Sequence, residues 1–285
     1  MSPQPLIERI DAVLAGGAVR LPVYPAVARQ VLLLLRQPAP DAAALAGLVA
    51  QEPALTCSLF RAANSAFYHG LPKVTTIDEA FTRIGVASAG QLLDGLCRDD
   101  EGPGRRLLSG HLPPLWRHSV GCALGAGWLA QRCGYHTLAE EAHLVGLLHD
   151  VGKLYLLAAL EQLAAGDGEE LPLGEALIME LLAGLHAPLG QRLVAAWNLP
   201  EQFATRSGRH QEAGRGGRDV IGALVGLADQ GCRKLGLGWE SDPGLVLSTT
   251  AEAQLLGLDE IALAELEIML EDRFGLGVPT TARVA

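Results

Sequence analysis

The chain has 285 residues, 49% hydrophobic and 19% charged, with a formal net charge of -10. That apolar fraction supplies a real core and excludes wholesale disorder, and the acidic balance excludes a general duplex-binding surface, which needs a basic field. No apolar run approaches the ~20 residues of a bilayer span, and the first twenty residues, with Glu8 and Asp11, lack a secretory apolar core. The expectation is a soluble cytoplasmic protein of one or two domains, with no membrane partner.

Helix signals dominate the chain, and period-2 alternation is nearly absent. Pro25 opens a run to Arg36 with apolar residues at helical spacing. Asp41 is placed to cap a second run to Gln51, and Pro53 sits at the first turn of a helix reaching Asn64. Thr76 and Glu79 have capping-box spacing, for a helix ending near Gly85, and a further helix covers 87–96. Residues 98–114 collect charge, glycine and proline and read as a linker. A long helix then runs from Leu115 to Cys133. Thr137 and Glu140 start another, to Asp150, with Gly152 placed to end it. Helices near 153–164, 173–184, 187–197, 200–207, 219–235 and 259–274 follow, and 278–285 reads as a loose tail. The fold class is all-α: an N-terminal helical half (1–97), the 98–114 linker, and a second helical half (115–285) with C-terminal helices, packed as one module.

Five cysteines, an odd number without any CxxC pair, read as reduced thiols packed as small hydrophobes. Only Lys73, Lys153 and Lys234 are lysines among 22 basic residues, which reads as composition bias. The sharpest local feature is AHLVGLLHDVGKLYLL, residues 142–157. His149 and Asp150 end a helix that is apolar on all sides and therefore buried. A buried imidazole and carboxylate must be hydrogen-bonded, paired or metal-bound. Two readings stand: a structural plug, or a ligand pair. His118, in LWRHS, and Asp229, in the apolar ALVGLADQ helix, raise the same demand. One cation held by His118, His149, Asp150 and Asp229 would satisfy all four, and such a donor set suits manganese, iron, zinc or magnesium. His143 reads as a core or interface histidine, and His69, His111 and His136 fall in expected loops or boundaries. Arg206, Arg209, Arg215 and Arg218 lie among glycines, either as a solvated loop or as a receiver for a nucleotide phosphate.

The order His118, His149-Asp150, Asp229 resembles the HD superfamily of metal-dependent phosphohydrolases. The chain as a whole looks like the HDOD (HD-related output domain) subgroup, over roughly residues 20–235. The segments that carry this are LPVYPAVARQVLLLL, DAAALAGLVAQEPALTCSLFRAANSAFY and TIDEAFTRIGV, then LWRHS, LVGLLHDVGKL, HAPLGQRLVAAWNLP and GLADQ. The resemblance implies a helical HD-like domain preceded by an N-terminal helical subdomain, working as a signalling module through a signalling protein or a small-molecule or nucleotide ligand. The ANSAFY stretch suggests a packing corner between the two halves. His186 matches a family histidine at a helix start; it would support the metal site, serve a second site, or simply hydrogen-bond there. HD-GYP phosphodiesterases, which cut cyclic di-GMP, carry a histidine pair and a Gly-Tyr-Pro motif where this chain reads RSGRHQEAGRGGR. Arg209 replaces the first histidine of that pair and His210 remains, so the resemblance argues against cyclic di-GMP cleavage. In the alternative reading, a metal-dependent phosphohydrolase, the metal would activate a water and Lys153 would contact the phosphate.

Overall fold

The computed structural model describes residues 6–15, 19–98, 106–166, 174–200, 203 and 219–275. They contain no strand; the fold is all-α. The helices are α1 (Leu6–Ala15), α2 (Pro25–Leu35), α3 (Ala42–Val49), α4 (Pro53–Ala63), α5 (Ile77–Ile84), α6 (Val86–Arg98), α7 (Arg106–Arg132), α8 (Ala139–Leu148), α9 (Val151–Gly166), α10 (Glu175–Ala196), α11 (Val220–Lys234), α12 (Ala251–Leu256) and α13 (Glu260–Phe274).

Several of these helices start where local chemistry places them. The Asp41 carboxylate accepts from the Ala43 N–H at 2.9 Å and starts α3. Pro53 occupies the first turn of α4, and Glu52 caps it, accepting from the Leu55 N–H at 2.8 Å. Thr76 and Glu79 form a reciprocal capping box at α5. Gly85, at φ +82°, ends that helix in a conformation a side chain rarely adopts.

Other expectations are corrected. α1 and α12 lack strong sequence signals and were not expected. α7 begins at Arg106, inside the stretch expected to be a linker, and carries Pro113 and Pro114 within it. Thr137 lies in a 3-10 turn (His136–Leu138), and α8 starts after it. α8 ends at Leu148, so His149 and Asp150 form the turn before α9, and Gly152 lies in the first turn of α9 instead of ending a helix. The expected helices at 173–184 and 187–197 are one helix, α10, that runs through Pro188. His186 is therefore mid-helix, not at a helix start. Residues 136–164 are long and apolar enough to cross a membrane, but 89% of their apolar window is buried inside the protein. The expected helix at 200–207 and the tail at 278–285 lie outside the described residues, apart from Phe203.

The chain forms two compact units, each built from two stretches. The first comprises Met1–Trp116 and Leu148–Gly208, and the second Arg117–Leu147 and Arg209–Ala285. The units thus alternate along the chain, where the sequence suggested consecutive halves. In the first unit α2 packs on α3 and α6, α4 on α5, and α9 on both α1 and α10, around Leu45, Leu55, Leu59, Phe60, Leu93 and Leu156. Trp116 stacks on Tyr24 with ring centroids 4.4 Å apart and donates its indole N–H to the Gln51 carbonyl at 3.0 Å. In the second unit α11 packs on α12 and α13, with Leu129, Leu144, Leu147, Leu227 and Leu266 in the core.

Candidate functional site

In the second unit, His118, Gly121, Cys122 and Gly125 share one face of α7 by their i, i+3, i+4, i+7 spacing. Ala228, Asp229 and Cys232 share one face of α11. The two faces meet because the glycines have no side chain. A Cβ at Gly125 would lie 2.9 Å from the Ala228 Cβ, and one at Gly121 would lie 2.7 Å from the Cys232 sulfur. This close crossing sets His118 Nε2 3.1 Å from an Asp229 carboxylate oxygen. Cys122 Sγ lies 3.6 Å from the same Nε2.

The other ring nitrogen settles the tautomer. His118 Nδ1 is 2.9 Å from the Leu237 carbonyl oxygen, which can only accept, so Nδ1 carries the proton. A lone pair on Nε2 facing a carboxylate would be repelled, so the pair is stable only with a proton or a cation at Nε2. Gly238, at φ +142°, allows the loop to close over the ring: a Cβ there would be 3.2 Å from His118 Cβ. A backbone carbonyl that orients an imidazole in this way is the usual support of a metal-binding histidine.

The donor atoms of His118, Cys122 and Asp229 lie within 4.8 Å of one another, and the group could hold a metal ion. Imidazole, carboxylate and thiol together fit zinc or iron better than magnesium, which prefers oxygen. Cys122 was missed in the sequence because all five cysteines read as small hydrophobes. Its signal was the i+4 spacing from His118.

In the first unit, the turn before α9 places Asp150 at 1% exposure. Its Oδ2 receives the Lys153 ammonium at 2.7 Å and lies 3.5 Å from His149 Nε2. His186 on α10 donates from Nδ1 to the Leu182 carbonyl at 2.8 Å and holds Nε2 3.9 Å from Asp150 Oδ1. Gly152 makes the grouping possible, since a Cβ there would meet the His186 carbonyl oxygen and lie 2.7 Å from the Gly190 nitrogen. A buried carboxylate is costly without a cation, and here Lys153 supplies one charge.

The remaining expected residues are placed as follows. His111 is on α7, buried, 3.4 Å from a Glu175 oxygen. His143 is half-buried on α8 beside Gly127, while His69 and His136 are exposed. Arg206, Arg209, His210, Arg215 and Arg218 lie outside the described residues. At the expected corner, Asn64 is held by Val74 nearby and by Asn198 of the second sequence half, both within the first unit. The Asn64 side chain donates to the Val74 carbonyl at 3.1 Å and accepts its N–H at 2.8 Å, and Asn198 donates to the Asn64 carbonyl at 2.7 Å. Phe67, by contrast, is 86% exposed and touches Tyr68 edge-on.

The family model for the HDOD domain matches residues 21–213. The MmoQ response regulator of Methylococcus capsulatus (strain Bath) is 25% identical, with a TM-score of 0.69 over 88% of this chain and 98% of that one. A virulence factor of Campylobacter jejuni shares the fold at 15% identity, with a TM-score of 0.55 over 98% of this chain and 99% of that one. A protein of Treponema pallidum (strain Nichols), described as uncharacterized, is 25% identical over 199 residues, 68% of this chain. The chain spans 38% of the length of that curated relative.

Proposed function

Since the chain belongs to the HDOD domain family, we propose that it is a cytoplasmic regulatory module of bacterial signal transduction that acts by binding a protein partner or a small ligand, without catalysis. The observation that carries this reading is the likeness to a response regulator along nearly the whole of both chains. It is supported by Arg209 standing in place of the first histidine of the HD-GYP pair and by the absence of a Gly-Tyr-Pro motif from residues 206–218. Duplex nucleic acid is not the partner, given the net charge of -10.

A second reading, a metal-dependent phosphohydrolase, is favoured by the His118–Asp229 pair, which needs a proton or cation between its atoms. In this reading His118, His149, Asp150 and Asp229 hold one divalent metal, with Cys122 beside His118 favouring zinc or iron over manganese or magnesium. The metal would supply Lewis-acid activation of water and phosphate. Lys153 would hold the Asp150 carboxylate or turn to a phosphate, and His186 and His210 would support this site or a second one. Arg206 and Arg209 would receive the phosphate end of a ligand.

Metal analysis of the full chain joined to a phosphatase screen separates the readings. About one equivalent of metal that falls sharply in Asp229→Asn and His118→Ala, with no turnover of phosphomonoesters or nucleotides, is the expected result. Turnover that disappears in Asp150→Ala would overturn the non-catalytic reading.

A further inference from the structure

The first unit contains an open cavity of about 560 Å³, and none of the histidines and aspartates above is among its described lining residues. Its size falls within the ~300–1,000 Å³ of small-molecule sites. Three elements and one helix end line it. The segment before α2 contributes Val19 and Leu21, both buried, with Arg20 exposed between them. From α4 and the turn after it come Ser58, Arg61, Ala62 and Ser65, on one face by helical spacing. α6 presents Leu92 and Leu96 with Gln91 and Gly95, and Trp197 closes the C-terminal end of α10.

The chemistry of this lining is selective. Among the described residues no carboxylate lines the cavity, although the chain carries 32 acidic residues against 22 basic ones. Two arginines do. The Arg61 guanidinium carbon lies 4.9 Å from the centre of the Trp197 ring, in cation–π contact. Such stacking uses the face of the guanidinium and leaves its in-plane N–H groups for an anion, which they can grip through two oxygens. The indole, Ala62, Leu92 and Leu96 form apolar walls for a flat ring. Ser58, Ser65 and Gln91 add neutral donors and acceptors that can read the ring edge or a sugar hydroxyl.

We propose that this cavity binds a nucleoside monophosphate, with Arg20 and Arg61 taking the phosphate and the apolar walls beside Trp197 taking the base. The site gives the regulatory reading its ligand class and rests on that reading for its role. Binding itself is measured apart from metal content or turnover, so the two can fail separately.

Gly95 supplies the decisive variant. Nothing lies within 4 Å of where its Cβ would stand, so a side chain there grows into the cavity without displacing a neighbour. Leucine also forms helix better than glycine, so Gly95→Leu keeps or raises the melting temperature while filling the site. Calorimetric titration of the full chain with GMP and AMP, beside guanosine and inorganic phosphate, is the test. At least one nucleotide is expected to saturate, with guanosine and phosphate each at least tenfold weaker. Arg20→Ala and Arg61→Ala are expected to weaken it tenfold or more, and Gly95→Leu to abolish it. Three results would overturn the proposal: neither nucleotide saturating, phosphate binding as tightly as the nucleotides, or affinity preserved in Arg61→Ala and Gly95→Leu.

Discussion

Cysteine chemistry shows how burial decides the fate of a single side chain. Cys57 lies wholly inside α4, and removal from water pushes its thiol far above the usual cysteine range, with the nearby Glu52 charge raising it further. The raised value keeps it protonated, so it is both shielded and a poor nucleophile. Cys97, Cys122 and Cys232 are also buried, and only Cys133 is not. Cys133 is itself shifted upward by partial burial, which Arg132 partly offsets. Titration of the native protein with a thiol reagent at pH 8 should therefore find about one reacting cysteine of five, and it should be lost in Cys133→Ser. The other four should react only on unfolding. The sequence was informative here: an odd set without CxxC pairs reads as packed thiols, and Cys57, Cys97, Cys122 and Cys232 are buried, with Cys133 the exception. It was silent on Cys122, because only the fold decides which buried thiol faces a histidine.

Helices meet in this protein through glycines, and those contacts were not legible from periodicity. Gly152 looked like a helix end because His149–Asp150–Val151–Gly152 follows an apolar helix, and glycine is a common C-terminal stop. Instead it lies at a close crossing of α9 and α10, where a Cβ would meet backbone atoms that cannot rotate away. Gly152→Ala is expected to cost about 3 kcal/mol, the upper end of ordinary overpacking, and to be read as a lower denaturation midpoint. The same change at Gly95 should cost nothing, since its Cβ would meet open space and alanine is the better helix former. Caps, by contrast, were legible: Asp41, Pro53 and the Thr76–Glu79 box act through residues two or three positions away. Pro188 lies inside the single helix that replaces the two expected ones. A proline removes one helical hydrogen bond and often ends a helix, yet α10 continues through it, held along its length against α9.

At the scale of the molecule, the first compact unit needs both ends of its interrupted sequence. Phe60 of α4 packs against Phe203 with ring centroids 5.6 Å apart. Lys73 donates to the Leu199 carbonyl at 3.2 Å, Arg192 pairs with Asp11 at 2.8 Å, and α1 rests on α9. A fragment ending at Trp116 would expose the faces these residues cover. It is expected to lack a cooperative thermal transition and to show poorly dispersed amide resonances; a well-dispersed spectrum would mean that the N-terminal helices fold alone. Composition had already indicated enough apolar material for a core. It could not say that the core would be assembled from separated stretches.

The sequence by itself determined the all-α class, most helix positions, the main caps and the HDOD resemblance. These depend on periodicity and neighbours a few residues apart, which a single chain displays directly. The tertiary structure alone decided that Cys122 stands beside the His118–Asp229 pair and that Lys153 holds Asp150. It alone brought Arg20, Arg61 and Trp197, separated by up to 177 positions, around one cavity. Such groupings depend on which helix faces meet and how closely glycines let them approach, and no local pattern along the chain records either.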